Sequence, residues 1–218
     1  DKAYSDSTEY TDFWTQLKAG SFKSGEFKRV AKNGKEVWVQ ASYNPIFDMN
    51  GDIIKVVKYA TDITEQKLHN AYFQGQIDAI SKSQAVIEFD TQGNIQWAND
   101  NFLQTMDYTL KDIQGQHHSM FVDANYRMSQ QYSTFWSDLR SGVFCSGEYK
   151  RLAKGGREVW IQASYNPILD MNGNVFKVVK YATDITAQKL RNADYEGQIK
   201  AISKAQAVIE FDTDGKVN

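Results

Sequence analysis

The 218-residue chain has one cysteine, three histidines and no excess of basic charge. Each shortage excludes something. The lone Cys145 cannot close an internal disulfide, which fits a reducing, cytoplasmic compartment. No apolar run reaches the roughly 18 residues that a membrane helix needs, so no membrane contact is expected. His69, His117 and His118 show no H-x-x-x-H spacing, so this pattern offers no metal site. No nucleophile elbow, phosphate loop or dinucleotide fingerprint is present, and the chain reads as a non-enzyme. Lys and Arg number 25 against 27 Asp and Glu, a net charge of −2 with a pI near 6. That balance argues against a nucleic-acid partner or an anionic membrane surface.

What the chain does have is a long internal repeat. RVAKNGKEVWVQASYNPIFDMNGDIIKVVKYATDIT, residues 29–64, returns as RLAKGGREVWIQASYNPILDMNGNVFKVVKYATDIT, residues 151–186. Phe13-Trp14 matches Phe135-Trp136, an offset of 122 residues that holds without a gap; 58 of the 84 aligned pairs are identical. This period is far longer than a solenoid repeat, so each copy is a domain with its linker. The expected organisation is the C-terminal part of a first domain (1–63), a helical linker (64–83), a complete domain (84–186), a second helical linker (187–205) and the opening strands of a further copy (206–218). Cys145 is Lys23 in the other copy, which speaks against a nucleophile.

Within each repeat, Asn-Gly or Gly-Gly pairs separate three β-rich runs, and both central residues of such turns are expected at positive φ. The result is a three-stranded antiparallel meander. Phe13, Trp14 and Leu17 have helical spacing, and Gly20 ends that helix. Asp62 and Glu65 have capping-box spacing at the start of the first linker. In the complete copy, 85–90 and 95–98 read as strands. Asn99-Asp100 caps a short helix carrying Phe102, Leu103 and Met106. A longer helix covers 125–140, with Tyr132, Phe135, Trp136 and Leu139 on one face. Strands at both ends with helices between give an α+β domain with an antiparallel sheet.

This order, the Asn after the second strand and the Asp-Ile-Thr that leads into a helix resemble a PAS domain. GQHHSMF, FWSDLRSG, GEYKRLAKGGREVWIQASYNPI and VVKYATDIT are similar to the tandem PAS domains of bacterial chemotaxis transducers of the aerotaxis and energy-taxis type, and to biofilm-dispersal regulators. The resemblance implies a five-stranded antiparallel sheet with helices on one face, tandem copies joined by helical linkers, and a sensory role in signal transduction. A downstream chemotaxis signalling domain outside these residues would be the partner. In the aerotaxis pattern the residues at Asn99 and Trp136 help hold FAD. This chain departs from that pattern at Val122-Asp123, where Arg-His is expected, and at Arg151, where Asn is expected. Haem is the rival cofactor, with His117 or His118 as axial ligand. The third possibility is a cofactor-free module that serves dimerisation and relay alone.

Alternation places Val159, Ile161, Ala163 and Tyr165 on one strand face, and Trp160, Gln162, Ser164 and Asn166 on the other. Tyr149, Arg151 and Ala153 share a face that the resemblance turns inward. An inward Arg is costly unless paired, so Arg151 points to an anionic ligand group or a buried carboxylate. The pocket candidates are therefore Asn99, His117, His118, Trp136, Arg151, Ile161 and Tyr165. No Gly/Ser linker separates the last strand from the helix that follows. Asp62, Thr64, Asp184 and Thr186 thus become candidates for signal relay. Narrow apolar stripes, Leu68, Phe73, Ile77 and Ile80 in one linker and Leu190, Tyr195, Ile199 and Ile202 in the other, suit a parallel homodimer.

Overall fold

The computed structural model describes residues 2–205, 209 and 211–217. The chain divides into two compact units, residues 1–78 and 79–218.

In the first unit, α1 (Lys2–Ser5) and α2 (Thr8–Lys18) precede a meander of β1 (Lys23–Val30), β2 (Glu36–Phe47) and β3 (Ile53–Asp62), paired antiparallel in the order β1-β2-β3. Ser7 caps α2: its hydroxyl accepts from the Tyr10 amide at 3.2 Å. Leu17, Ala41 and Tyr43 form a small core with Phe13, Trp14 and Phe27 against it. The turns differ from expectation. Gly34 and Gly51 take positive φ, but Asn33 and Asn50 do not. Five residues, 31–35, separate β1 from β2. The longer loop bends through ordinary backbone at Asn33 and leaves only the glycine to adopt the left-handed conformation. The helix α3 (Thr64–Ser83) follows.

The second unit opens with β4 (Ala85–Phe89) and β5 (Ile95–Ala98). It continues through α4 (Asp100–Met106), α5 (Leu110–Ile113), a 3-10 turn (His118–Phe121), α6 (Ala124–Arg127) and α7 (Gln130–Arg140). It closes with β6 (Cys145–Leu152), β7 (Glu158–Leu169), β8 (Val175–Asp184) and α8 (Thr186–Ala205). The expected single helix over 125–140 is two helices. Ser129 breaks it, because its hydroxyl accepts from the Tyr132 amide at 3.2 Å and starts a new N-terminus. The sheet is five-stranded and antiparallel throughout, in the order β5-β4-β8-β7-β6. Its inward side chains, Ile87, Phe89, Val159, Ile161, Ala163, Tyr165, Val178 and Ala182, pack with Phe102, Met106, Phe121, Tyr132, Phe135, Trp136 and Leu139 from the helical segment into one core. This is the α+β architecture that the order of elements predicts.

Of the expected further copy, residues 206–208, 210 and 218 lie outside the described residues. Phe211 and Val217 form an isolated antiparallel bridge. Among the described residues, no helix is long and apolar enough to cross a membrane.

Candidate functional site

Three inward side chains that carry polar atoms meet at the middle of the five-stranded sheet. Register puts Tyr165 on β7 opposite Lys180 on β8, and Lys180 opposite Ile87 on β4. Arg151 on β6 lies beside them. Arg151 is 2% exposed, Lys180 1%, Tyr165 0% and His118 0%. These fractions matter because two cationic side chains seldom enter one apolar core without carboxylates.

The hydrogen bonds form a chain. Arg151 Nη2 donates to the Tyr165 hydroxyl at 3.1 Å, and Nη1 donates to the Lys150 carbonyl at 2.8 Å. The Tyr165 oxygen lies 3.1 Å from His118 Nε2, and His118 Nδ1 lies 2.9 Å from the Tyr132 hydroxyl. Guanidinium can only donate, so the Tyr165 oxygen accepts from Arg151 and its own proton is free for His118 Nε2. Nδ1–H then donates to Tyr132. This polarity gives a partner to both nitrogens of His118 and to both phenols, and keeps His118 neutral. Burial, with the positive charge of Arg151 next, holds its pKa well below the ordinary imidazole value.

Two buried nitrogens, Arg151 Nε and Trp136 Nε1, meet no hydrogen-bond acceptor. The Arg151 guanidinium lies 4.7 Å from the Tyr149 ring centre, and Lys180 Nζ lies 5.1 Å from that of Tyr165 and 5.4 Å from that of Phe102. No carboxylate pairs with either cation among the described residues. Burial and then the Arg151 charge push the Lys180 pKa well below the ordinary lysine value. Burial also pushes the phenols of Tyr132 and Tyr149 up to about 12.

The fold thus brings His118, Trp136, Arg151, Ile161 and Tyr165 into one interior. It adds Lys180 and Tyr132, which sequence reasoning missed. The alternation of Val178, Lys180 and Ala182 was the available signal for the lysine: a strand with two apolar inward positions carries the residue between them inward too.

Two candidates stand elsewhere. Asn99 is a structural fastener. Its side-chain oxygen accepts from the Val86 amide at 2.9 Å and caps α4 through the Phe102 amide at 3.0 Å. Its amide nitrogen donates to the Ser81 and Gln84 carbonyls, both at 2.8 Å. His117 lies at the edge, its Nε2 3.0 Å from the Gln92 carbonyl while Nδ1 accepts from the Ser119 amide at 3.1 Å. These commitments test the two cofactors. Neither histidine has a free nitrogen for haem iron, and Asn99 has no free valence for a flavin. The residues as arranged fit neither group.

The junction residues repeat in both units. The Thr186 hydroxyl accepts from the Trp160 amide at 2.9 Å, the Ile185 amide donates to the Trp160 carbonyl at 2.8 Å, and Asp184 accepts from the Thr186 amide at 2.8 Å. Thr64, Trp38, Ile63 and Asp62 make the same contacts. The expected capping box is replaced here: α3 starts at Thr64, and Asp62 accepts from the Thr64 amide instead of the Glu65 amide that the box requires. The consequence is mechanical. The first residue of each helix is pinned to the middle strand of its meander. Lys189, one turn on, lies 5.3 Å from the Trp160 ring centre and pairs with Glu148.

Comparison with known proteins places these features. The sequence profile of the PAS fold matches residues 6–60 and 95–182. The biofilm dispersion protein BdlA of Pseudomonas aeruginosa is 41% identical over 191 residues, which cover 88% of this chain and 46% of that protein. The aerotaxis receptor of Escherichia coli is 34% identical over 80 residues, which cover 37% of this chain and 16% of the receptor. The chain therefore spans less than half the length of either curated relative. Among solved structures, a PAS domain from Colwellia psychrerythraea superposes with a TM-score of 0.47 at 23% identity, covering 53% of this chain and 98% of that one.

Proposed function

Because the chain belongs to the PAS fold family, we propose that it is a sensory module in which the polar interior of the second unit is the input and α8 is the output. In this reading residues 84–186 are the complete sensing domain, and residues 1–63 are the three-stranded part of a first one. The observation that carries it is the fastening of Thr186 to Trp160. Trp160 lies on β7, the strand that also supplies Ile161 and Tyr165 to the interior. A shift of β7 in response to the interior therefore reaches the start of α8 within one hydrogen bond. The module is non-enzymatic and acts in the cytoplasm.

The output face is a pairing surface. Leu190, Tyr195, Ile199 and Ile202 on α8 are all exposed, as are Leu68, Phe73, Ile77 and Ile80 on α3. Long helices with such narrow uncovered stripes are stabilised by a second helix. The partner in this reading is a second copy of the chain, held in parallel. A downstream chemotaxis or biofilm-dispersal signalling domain receives the change, in keeping with the names of the two curated relatives. Redox or oxygen sensing through FAD or haem is a weaker reading, since Asn99, His117 and His118 already have their bonds.

Single cysteines placed along 187–204, after Cys145 is replaced, test the pairing. Crosslinks that recur with helical period support the parallel dimer. Uniform absence of crosslinks at every position would remove it.

A further inference from the structure

We infer that the interior of the second unit binds a monocarboxylate with a flat apolar body, held by Arg151 and Lys180. This deepens the sensory reading above and rests on it.

The first support is charge. A guanidinium stays protonated in any protein interior, so Arg151 is a permanent buried cation. Its only polar partners are a main-chain carbonyl and a phenol. Removing a charge from water without a counter-charge costs several kcal/mol in general terms. Pairing with one anion would offset that cost. Arg151 is the one charge of this interior that persists at any pH, since burial and then the Arg151 charge disfavour the charged form of Lys180, and a single fixed charge suits a monoanion better than a phosphate dianion.

The second support is an unfilled donor. Arg151 Nε is buried and unpartnered, and Lys180 Nζ lies over the Phe102 and Tyr165 rings. Two donors on adjacent parts of one interior are the usual recognition set for a carboxylate.

The third support is the wall. Phe135 lies 4.9 Å from Tyr165, ring centre to ring centre, with Tyr149 at 5.6 Å and Phe89 at 6.5 Å. Aromatic surroundings favour a flat apolar body behind the carboxylate. A way in exists. An open cleft of about 400 Å³ between α7 and β6 is lined by Phe135, Cys145 and Tyr149, and the Tyr149 ring covers the Arg151 guanidinium. In this inference the ligand enters from that cleft, past the Tyr149 ring that covers the guanidinium.

The first unit supplies an internal control. Arg29 donates to Tyr43 at 3.2 Å, and Lys58 lies 5.4 Å from the Tyr43 ring centre, but Lys58 is exposed. Water screens the charge of Lys58 there.

The test uses the full chain, with benzoate as the probe and benzamide as its neutral isostere, read by thermal midpoint and calorimetry. Benzoate is expected to raise the midpoint and to bind roughly tenfold or more tightly than benzamide or inorganic phosphate, since a charged hydrogen-bonding group contributes about that factor. Arg151→Met and Lys180→Met should each abolish the benzoate response, while Lys58→Met leaves it intact. Lys180→Met should fold at least as stably as the parent, because an apolar side chain of similar length replaces a buried amine whose charged form burial disfavours. Equal binding of benzoate and benzamide, no benzoate response in the parent, or a full response in both variants would overturn the assignment. The cysteine crosslinking above needs no ligand, so the ligand class can fail while the sensory reading stands, and the reverse.

Discussion

The Arg151 guanidinium donates to the Tyr165 hydroxyl at 3.1 Å, and 122 residues earlier Arg29 makes the same bond to Tyr43 at 3.2 Å. Each arginine also donates to the carbonyl of the residue before it, Lys150 or Lys28, at 2.8 Å. The geometry is therefore a property of the meander. What changes between the units is the cover. Both units pack a helix on the pair, with Phe13 on Tyr43 and Phe135 on Tyr165 at 4.9 Å between ring centres, but in the second unit β4 and the 3-10 turn close over it as well and convert an ordinary contact into a buried charge.

Tyr165→Phe should cost about 1–3 kcal/mol, the usual penalty for leaving buried partners unsatisfied. It removes the acceptor of Arg151 Nη2 and the partner of His118 Nε2 together. Urea denaturation checks this. A midpoint equal to that of the parent would mean that water replaces the hydroxyl.

Gly93→Ala should destabilise the second unit by more than the backbone term alone, which is about 1–2 kcal/mol for a left-handed residue. Gly93 has a φ of +88°, and an added Cβ would lie 2.7 Å from His117 Nε2 and 2.9 Å from the Trp136 ring. Thermal unfolding measures the loss. Restored stability in Gly93→Ala with His117→Ala would confirm that the clash, and not φ, dominates.

Asn99→Ala should cost roughly 2 kcal/mol by losing a helix cap and the donors to Ser81 and Gln84. Asn99→Asp keeps the acceptor that caps α4 and should lose less. Equal losses would contradict the division of labour between the oxygen and the amide nitrogen.

The Asp112 carboxylate should stabilise the fold only in its charged form. Bonds from the Thr109 amide, then from Lys154, lower its pKa from 3.8 to about 2. A lowered folded-state pKa contributes stability that is full above 3.8 and is lost as pH falls through about 2. The stability gap between the parent and Asp112→Asn should follow that course in denaturation curves taken from pH 6 downward. A gap that does not depend on pH would sink the claim.

Much of this was legible in residues alone. The repeat gave the meanders, and alternation along β7 put Val159, Ile161 and Tyr165 inward, because a strand has only two faces. Arg151 was readable as an inward charge through the PAS resemblance, which turned the face it shares with Tyr149 and Ala153 toward the interior. The break at Ser129 was hidden, since Tyr132 to Leu139 keep one apolar face while a hydroxyl three residues upstream competes for the amide. Asn99 misled because a motif residue shared with a flavin site is here consumed by local caps, and only distances reveal how many valences are spent. Lys180 went unseen because lysine is ordinarily exposed, and that expectation outweighed its place in the alternation.

Relay through the junction is tested most directly by amide hydrogen exchange at residues 186–190 in three proteins: the parent, Arg151→Met, and Arg151→Met with Thr186→Val. Coupling predicts that altering the interior changes exchange at the start of α8, and that removing the Thr186 hydroxyl erases the change while the sheet itself still responds. Exchange at 186–190 that is identical in the parent and in Arg151→Met, with the sheet altered, would contradict it.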